Sequence, residues 1–144
     1  MLNLPSGRTL YYGKGDVLVY RTYAKPLEIV PIPESPFAGN RNVIFAHNVR
    51  FAVSGQSLLT SFTEGDNGKV VATDSMKNFL LRQAASFQGC ATEELLCFLG
   101  ERFLETYPHI ESVEISADRL PFQPVEVPGP GGILRQQPRI PAVA

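Results

Sequence analysis

Two short stretches of this 144-residue chain carry side chains whose type and spacing could do chemistry. The first is Gly13-Lys14-Gly15, at the mouth of a strand. The small neighbours leave the lysine amine room to approach another element. A lysine partly withdrawn from water loses its charge more readily and can then serve as a base. The competing reading is a solvated lysine in a turn, because most lysines are exposed. The second stretch is Thr73-Asp74-Ser75. Here a turn-forming run, Glu64 to Gly68, and the apolar Val70-Val71-Ala72, read as a short buried strand end, give way to helical spacing from Met76 onward. All three residues can cap a helix N-terminus. Amides pointing out of such a terminus also suit a polar, electron-rich ligand. Spacing alone leaves cap and ligand site both open.

The remaining candidates are weaker. Two histidines and two cysteines occur with no Cys-x-x-Cys, His-x-His or His-Glu-x-x-His spacing, so no metal site is expected. His47 reads as a satisfied polar residue on a strand face, and His109, after the helix-ending Pro108, as solvent-exposed. Cys90 and Cys97 read as small, buried, reduced residues. Gly65-Asp66-Asn67-Gly68-Lys69 lacks the spacing and the trailing Ser or Thr of a phosphate loop, and reads as a turn.

The elements that must position these groups follow from periodicity. Tyr11 to Tyr23 alternates, with Val17, Val19, Arg21 and Tyr23 on one side and Leu18, Tyr20 and Thr22 on the other. Lys25 to Asn42 holds four prolines and reads as a loop without a sheet ladder. Val43 to Val53 alternates strictly; a bend is expected at Gly55-Gln56, with strand pattern resuming from Leu58 to Phe62. A first helix is expected from about Ser75 to Phe87, ended by Gly89, with Met76, Phe79, Leu80, Ala84 and Phe87 on its apolar stripe. A second helix, capped by Thr92, carries Leu95, Leu96, Leu99, Phe103 and Tyr107 and stops at Pro108. Glu111 to Asp118 alternates as a third strand. The order predicts an α+β fold, an antiparallel sheet with both helices on one face. Residues 1–122 form this module. Gln123 to Ala144, rich in proline and glycine, reads as an extended tail or linker without a regular strand.

Composition bounds the function. The length suits one domain, and 44% apolar with 19% charged residues suits a globular one. A net charge of -1 gives no electrostatic case for nucleic acid or an anionic membrane. No apolar run approaches a membrane span, and the N-terminus lacks the basic-then-apolar order of a secretion signal. Cytoplasm is the expected compartment.

Tyr12-Gly13-Lys14, the strand Val17-Leu18-Val19-Tyr20, the turn Thr63-Glu64-Gly65-Asp66-Asn67 and the run from Val70 through Thr73-Asp74-Ser75 to Asn78 stand in a telling order. With Arg102-Phe103-Leu104-Glu105-Thr106-Tyr107-Pro108-His109 and the strand after it, the chain resembles the urate oxidase (uricase) family from about Tyr12 to Phe122. The resemblance implies a T-fold, an antiparallel sheet with two helices on one side, copies of which close into an oligomeric barrel or tunnel. It places the family's lysine and threonine, a proton-relay pair, on Lys14 and Thr73. Asp74 falls on the position that contacts the purine from a neighbouring subunit. No metal, flavin or other cofactor is implied. Urate itself reduces dioxygen, giving 5-hydroxyisourate and hydrogen peroxide.

The resemblance covers the family's N-terminal T-fold module only. The second module, with its urate-clamping arginine and glutamine, stacking aromatic, and histidine and asparagine at the oxygen site, has no counterpart here. Arg135, Gln136 and Gln137 lie in the Pro-rich tail outside any family context. A fourth strand is expected after Phe122, and the tail does not read as one. The partners implied are urate, dioxygen and either further copies or a complementary second module. Two other classes compete: a non-catalytic T-fold subunit that binds a purine-like ligand or acts in assembly, and a pterin-handling T-fold enzyme, whose histidine pattern is missing.

Overall fold

A computed structural model of the chain describes residues 1–128 and 134–139. Two-residue strands β1 (Leu2–Asn3) and β2 (Thr9–Leu10) form a small hairpin that leads into the long strand β3 (Tyr12–Thr22). The Pro-rich loop follows. Contrary to the expectation of no ladder, its ends pair briefly as β4 (Leu27–Glu28) and β5 (Gly39–Asn40), with Pro31, Pro33 and Pro36 in the loop between them. Strand β6 (Ile44–Ser54) then runs antiparallel to β3. The strand expected over Leu58 to Phe62 is instead a single 3₁₀ turn, Gln56–Leu58, and the short helix α1 (Leu59–Thr63). Leu58 is buried there, and the hydroxyls of Ser61 and Thr63 bond back to the carbonyls of Leu58 and Leu59.

Helices α2 (Thr73–Ser86) and α3 (Thr92–Thr106) come next, followed by strand β7 (Ser112–Leu120). The sheet order is β3-β6-β7, with both pairs antiparallel. Helix α2 lies along β3 and α3 along β7, so both cover one face, as the periodicity predicts. On that face Val49, Phe51 and Val53 of β6 meet Met76, Phe79 and Leu80 of α2 and Leu95, Leu99 and Phe103 of α3 in one apolar core. Phe103 is the junction of all three layers. Its ring stands edge-on to Phe51 at 4.7 Å and to Phe79 at 5.1 Å between centroids. Truncating a buried phenylalanine at such a junction costs about 3–5 kcal/mol. On the other face of the sheet Leu18 and Tyr20 of β3 are exposed, at 51% and 67%.

The segment expected as a strandless tail contains two paired strands. Strand β8 (Gln123–Pro128) runs antiparallel to β9 (Leu134–Arg139). Pro124 and Pro138 face one another in register, in a two-stranded ribbon where each strand keeps a free edge for a residue without an N–H. The rest of the expected tail, residues 129–133 and 140–144, lies outside the described residues. Both cysteines are free thiols, but Cys90 is half-buried and Cys97 exposed rather than buried as expected.

Candidate functional site

The site begins with an irregularity in β3. Lys14 pairs with Phe51 and Val17 with Val49, so Gly15 and Asp16 together oppose the single residue Arg50. This is a β-bulge. Asp16 takes a left-handed φ of 53°, which aspartate tolerates, and its carboxylate accepts a hydrogen bond from Asn48 Nδ2 at 3.2 Å. The extra residue reverses the alternation of the strand. Tyr12 and Lys14 therefore share the helix-covered face with Val17 and Val19, although their numbers differ in parity. Gly13, between them, lies hard against β6: a Cβ there would sit 1.9 Å from the Phe51 carbonyl oxygen.

Tyr12 reaches the segment before α2. Its hydroxyl accepts the Val71 N–H at 2.8 Å and donates to the Val71 carbonyl at 3.1 Å. The expected strand end at Val70 to Ala72 is thus not in a sheet; the phenol supplies both hydrogen bonds that a neighbouring strand would have made to Val71. Burial raises the Tyr12 pKa and the bond to Val71 pulls against it, with burial prevailing. The phenol stays neutral and keeps its proton to donate.

Helix α2 starts at Thr73. Its cap residue is Ala72, with no side-chain capping bond, so neither Thr73, Asp74 nor Ser75 acts as the cap. The first intrahelical bond runs from the Met76 N–H to the Ala72 carbonyl. Among the described residues, the amides of Thr73, Asp74 and Ser75 have no acceptor and the Thr73 hydroxyl has no partner. This first turn is a donor-rich end left open. The turn before it is built as expected, with the Gly68 N–H donating to the Asp66 carboxylate at 2.9 Å.

Lys14 comes to the same place. Its Nζ lies 3.7 Å from Asp74 Oδ1, with the lysine side chain 36% exposed and the aspartate 88%. An ion pair so exposed is worth about 0–1 kcal/mol, so it orients the amine more than it stabilises the fold. No hydrogen bond links Lys14 to Thr73 among the described residues. The strand therefore delivers an amine, and the helix start a hydroxyl, a carboxylate and free amides, all to one rim. Such a set can bind a planar anion with polar edges and move its protons. Of the residues singled out from sequence, Lys14 and Asp74 are brought into contact, and Thr73 precedes Asp74 as the first residue of α2; Tyr12 and the bulge are not among the residues singled out. A signal existed in Gly-Lys-Gly-Asp, since glycines inside an alternating run mark bulges and close backbone approach.

A second polar cluster occupies the other end of the same ladder. His47, opposite Val19, is fully buried; its Nε2 lies 2.9 Å from the hydroxyl of Thr92, the first residue of α3, and its Nδ1 has no partner. Half-satisfied, it departs from the sequence expectation. Thr92 is not the cap either: Ala91 is, and the Glu94 carboxylate accepts the N–H groups of Cys90 and Ala91. Burial first, then the Arg119 charge, lowers the His47 pKa to about 4, against a smaller opposing pull from Glu93. Buried Asn42 donates to the carbonyls of Lys25 and Cys90 and accepts from Arg119, whose guanidinium lies 5.3 Å over the Phe45 ring. His109, expected in solvent, is half-buried and its Nε2 bonds to the Lys69 carbonyl at 2.8 Å. Among the described residues no group of three or more His, Cys, Asp or Glu could hold a metal ion.

Comparison with known proteins places the chain as a whole. The family model described as Uricase matches residues 10–141, which carries the likeness past Phe122 and through the β8–β9 ribbon. A uricase of Halalkalicoccus jeotgali is 54% identical over 122 residues, 84% of this chain and 40% of its own length. One from Haloferax volcanii is 53% identical over the same shares. A crystal structure of a uricase from a Bacillus species, B. fastidious, superposes with a TM-score of 0.85 at 46% identity, covering 94% of this chain and 44% of that one. The chain thus spans about two fifths of the length of the curated relatives it matches. The T-fold expected from the resemblance is borne out by that superposition and by the β3-β6-β7 sheet with α2 and α3 on one face. The family model over most of the chain and relatives identical at more than half of the aligned positions agree: the chain belongs to the uricase family.

Proposed function

We propose that this chain acts as the N-terminal T-fold half of a urate oxidase, with the rest of the active site supplied by a second module or by other copies in an oligomeric barrel. The observation that supports this reading is the contact of Lys14 with Asp74, some sixty residues away, at the start of the helix whose first residue is Thr73 and whose cap makes no side-chain bond. Urate is a planar monoanion at neutral pH with polar atoms along every edge. It becomes a good electron donor once it sheds a further proton. In the proposed site that proton passes through the Thr73 hydroxyl, which can donate and accept at once, to the Lys14 amine acting as general base. Asp74 and the first amides of α2 hold the purine edge. The substrate gives two electrons and two protons to dioxygen, forming hydrogen peroxide, and water adds to the oxidised ring to give 5-hydroxyisourate. No cofactor takes part in this scheme. Among the described residues no helix is long and apolar enough to cross a membrane, and the cytoplasm is the proposed compartment.

The test is to combine the chain with the C-terminal half of a full-length uricase and follow the loss of urate's near-ultraviolet absorbance together with peroxide release. Turnover is expected, and Thr73→Ala should abolish it. Urate binding without turnover would leave a purine-binding assembly subunit in place of the enzyme.

A further inference from the structure

The proposed relay needs strand β3 and the start of α2 to stand in a fixed relation, yet no ladder joins them. The residues before α2 belong to no sheet, and the Lys14–Asp74 ion pair is too exposed to hold them. One side chain bridges the gap at full hydrogen-bonding strength. We infer that Tyr12 is a positioning residue, whose hydroxyl, clamped on both backbone groups of Val71, sets the placement of Thr73 and Asp74 against Lys14. The inference rests on the reading of this rim as a urate site.

The geometry is specific. Tyr12 and Lys14 are two residues apart on β3 and point to the same face, because the bulge falls after Lys14. Val71 and Asp74 lie three residues apart across the start of α2. The Tyr12–Val71 and Lys14–Asp74 contacts therefore cross the same seam one after the other, and slippage of the first displaces the second. Val71 is buried at 7% exposure, so among the described residues the phenol is the partner its N–H and carbonyl have, and removing it leaves both to whatever water can reach them. The phenol must be protonated to serve both groups, and its burial keeps it so. Gly13 completes the device: with only a hydrogen against the Phe51 carbonyl, β3 lies close on β6 at this point and gives the tyrosine a firm base.

The variant that tests this is Tyr12→Phe, which keeps the ring in its packing and removes one oxygen. In the 144-residue chain, hydrogen exchange at the Val71 amide should quicken at least tenfold, while amides in the last two turns of α2 keep their protection. In the complemented enzyme, kcat should fall about tenfold with KM changed less than twofold, because the reacting groups are displaced while most of the purine's contacts remain. Leu99→Val, which loosens the core away from this seam, should lower the melting temperature without that kcat loss. Unchanged exchange at Val71 overturns the inference, as does faster exchange with unchanged kcat. If the unmutated chain, fully complemented, shows no turnover, the urate oxidase reading fails instead, and exchange at Val71 and at Met76, the first bonded amide of α2, decides the anchor by itself.

Discussion

The two ends of the β3–β6 ladder present the same construction with opposite outcomes. At each end a titratable residue on the helix-covered face meets the first turn of a helix: His47 meets Thr92 of α3, and Lys14 meets Asp74 of α2. His47 is sealed, its ring against Phe45 at 4.4 Å between centroids and its neighbourhood crossed by the Asn42–Arg119 bonds. Lys14 is one-third exposed, and the hydroxyl beside its partner is uncommitted. Burial turns the first pairing into a piece of architecture. Openness leaves the second available to a ligand. A histidine, the residue most often recruited for acid–base work, is here the buried member, and the proposed chemistry falls to the lysine.

That contrast can be broken by experiment. The largest effect belongs to the open end: Lys14→Met in the complemented enzyme should lower kcat by about 10²–10⁴, the usual worth of a general base, while urea denaturation shifts by no more than about 0.5 kcal/mol. A large stability loss with activity kept would reverse the assignment of the two ends. The sealed end should respond to pH. With the folded-state pKa of His47 lowered from 6.5 to about 4, the unfolded chain binds the extra proton between those values. Its contribution is complete above pH 6.5 and is lost as pH falls toward 4, by about 3 kcal/mol in all. Denaturation curves across that range should show the loss, and His47→Gln should flatten it. Asp74→Asn is the smallest change expected: within about 1 kcal/mol in stability by urea denaturation, as for any exposed pair. A cost of several kcal/mol would mean that the pair is more than an orienting contact.

What could be read from residues alone was whatever a single period announces. The strict alternation of Val43 to Val53 marks β6 within one residue of its ends, and the Met76-Phe79-Leu80-Ala84 stripe marks the buried face of α2. The same rule failed where two periods compete. Leu58 to Phe62 is too short for its apolar residues to separate a strand from a helical turn, and Ser61 and Thr63 settle the matter by bonding backward. Val70 to Ala72 is extended, as its composition suggests, but its partner is a phenol 59 residues away, which no local pattern encodes. The ribbon of Pro124 and Pro138 escaped because proline was taken to exclude strands, whereas it excludes only their interior ladders. At the rim, residue types disclosed the chemistry, but the contact chosen by the lysine, carboxylate rather than hydroxyl, required three dimensions.

The bulge at Gly15-Asp16 carries a consequence for how this strand tolerates change. Tyr12 and Lys14 count in even numbers and Val17, Val19 and Arg21 in odd ones, and only the surplus residue reconciles the two tallies. A chain shortened by one codon there would keep every apolar side chain it needs for folding, yet the core would hold Val17 and Val19 in place and swing the amine through to the solvent side of the sheet. Substitutions around the lysine are thus a lesser threat to the rim than a frame slip of one position.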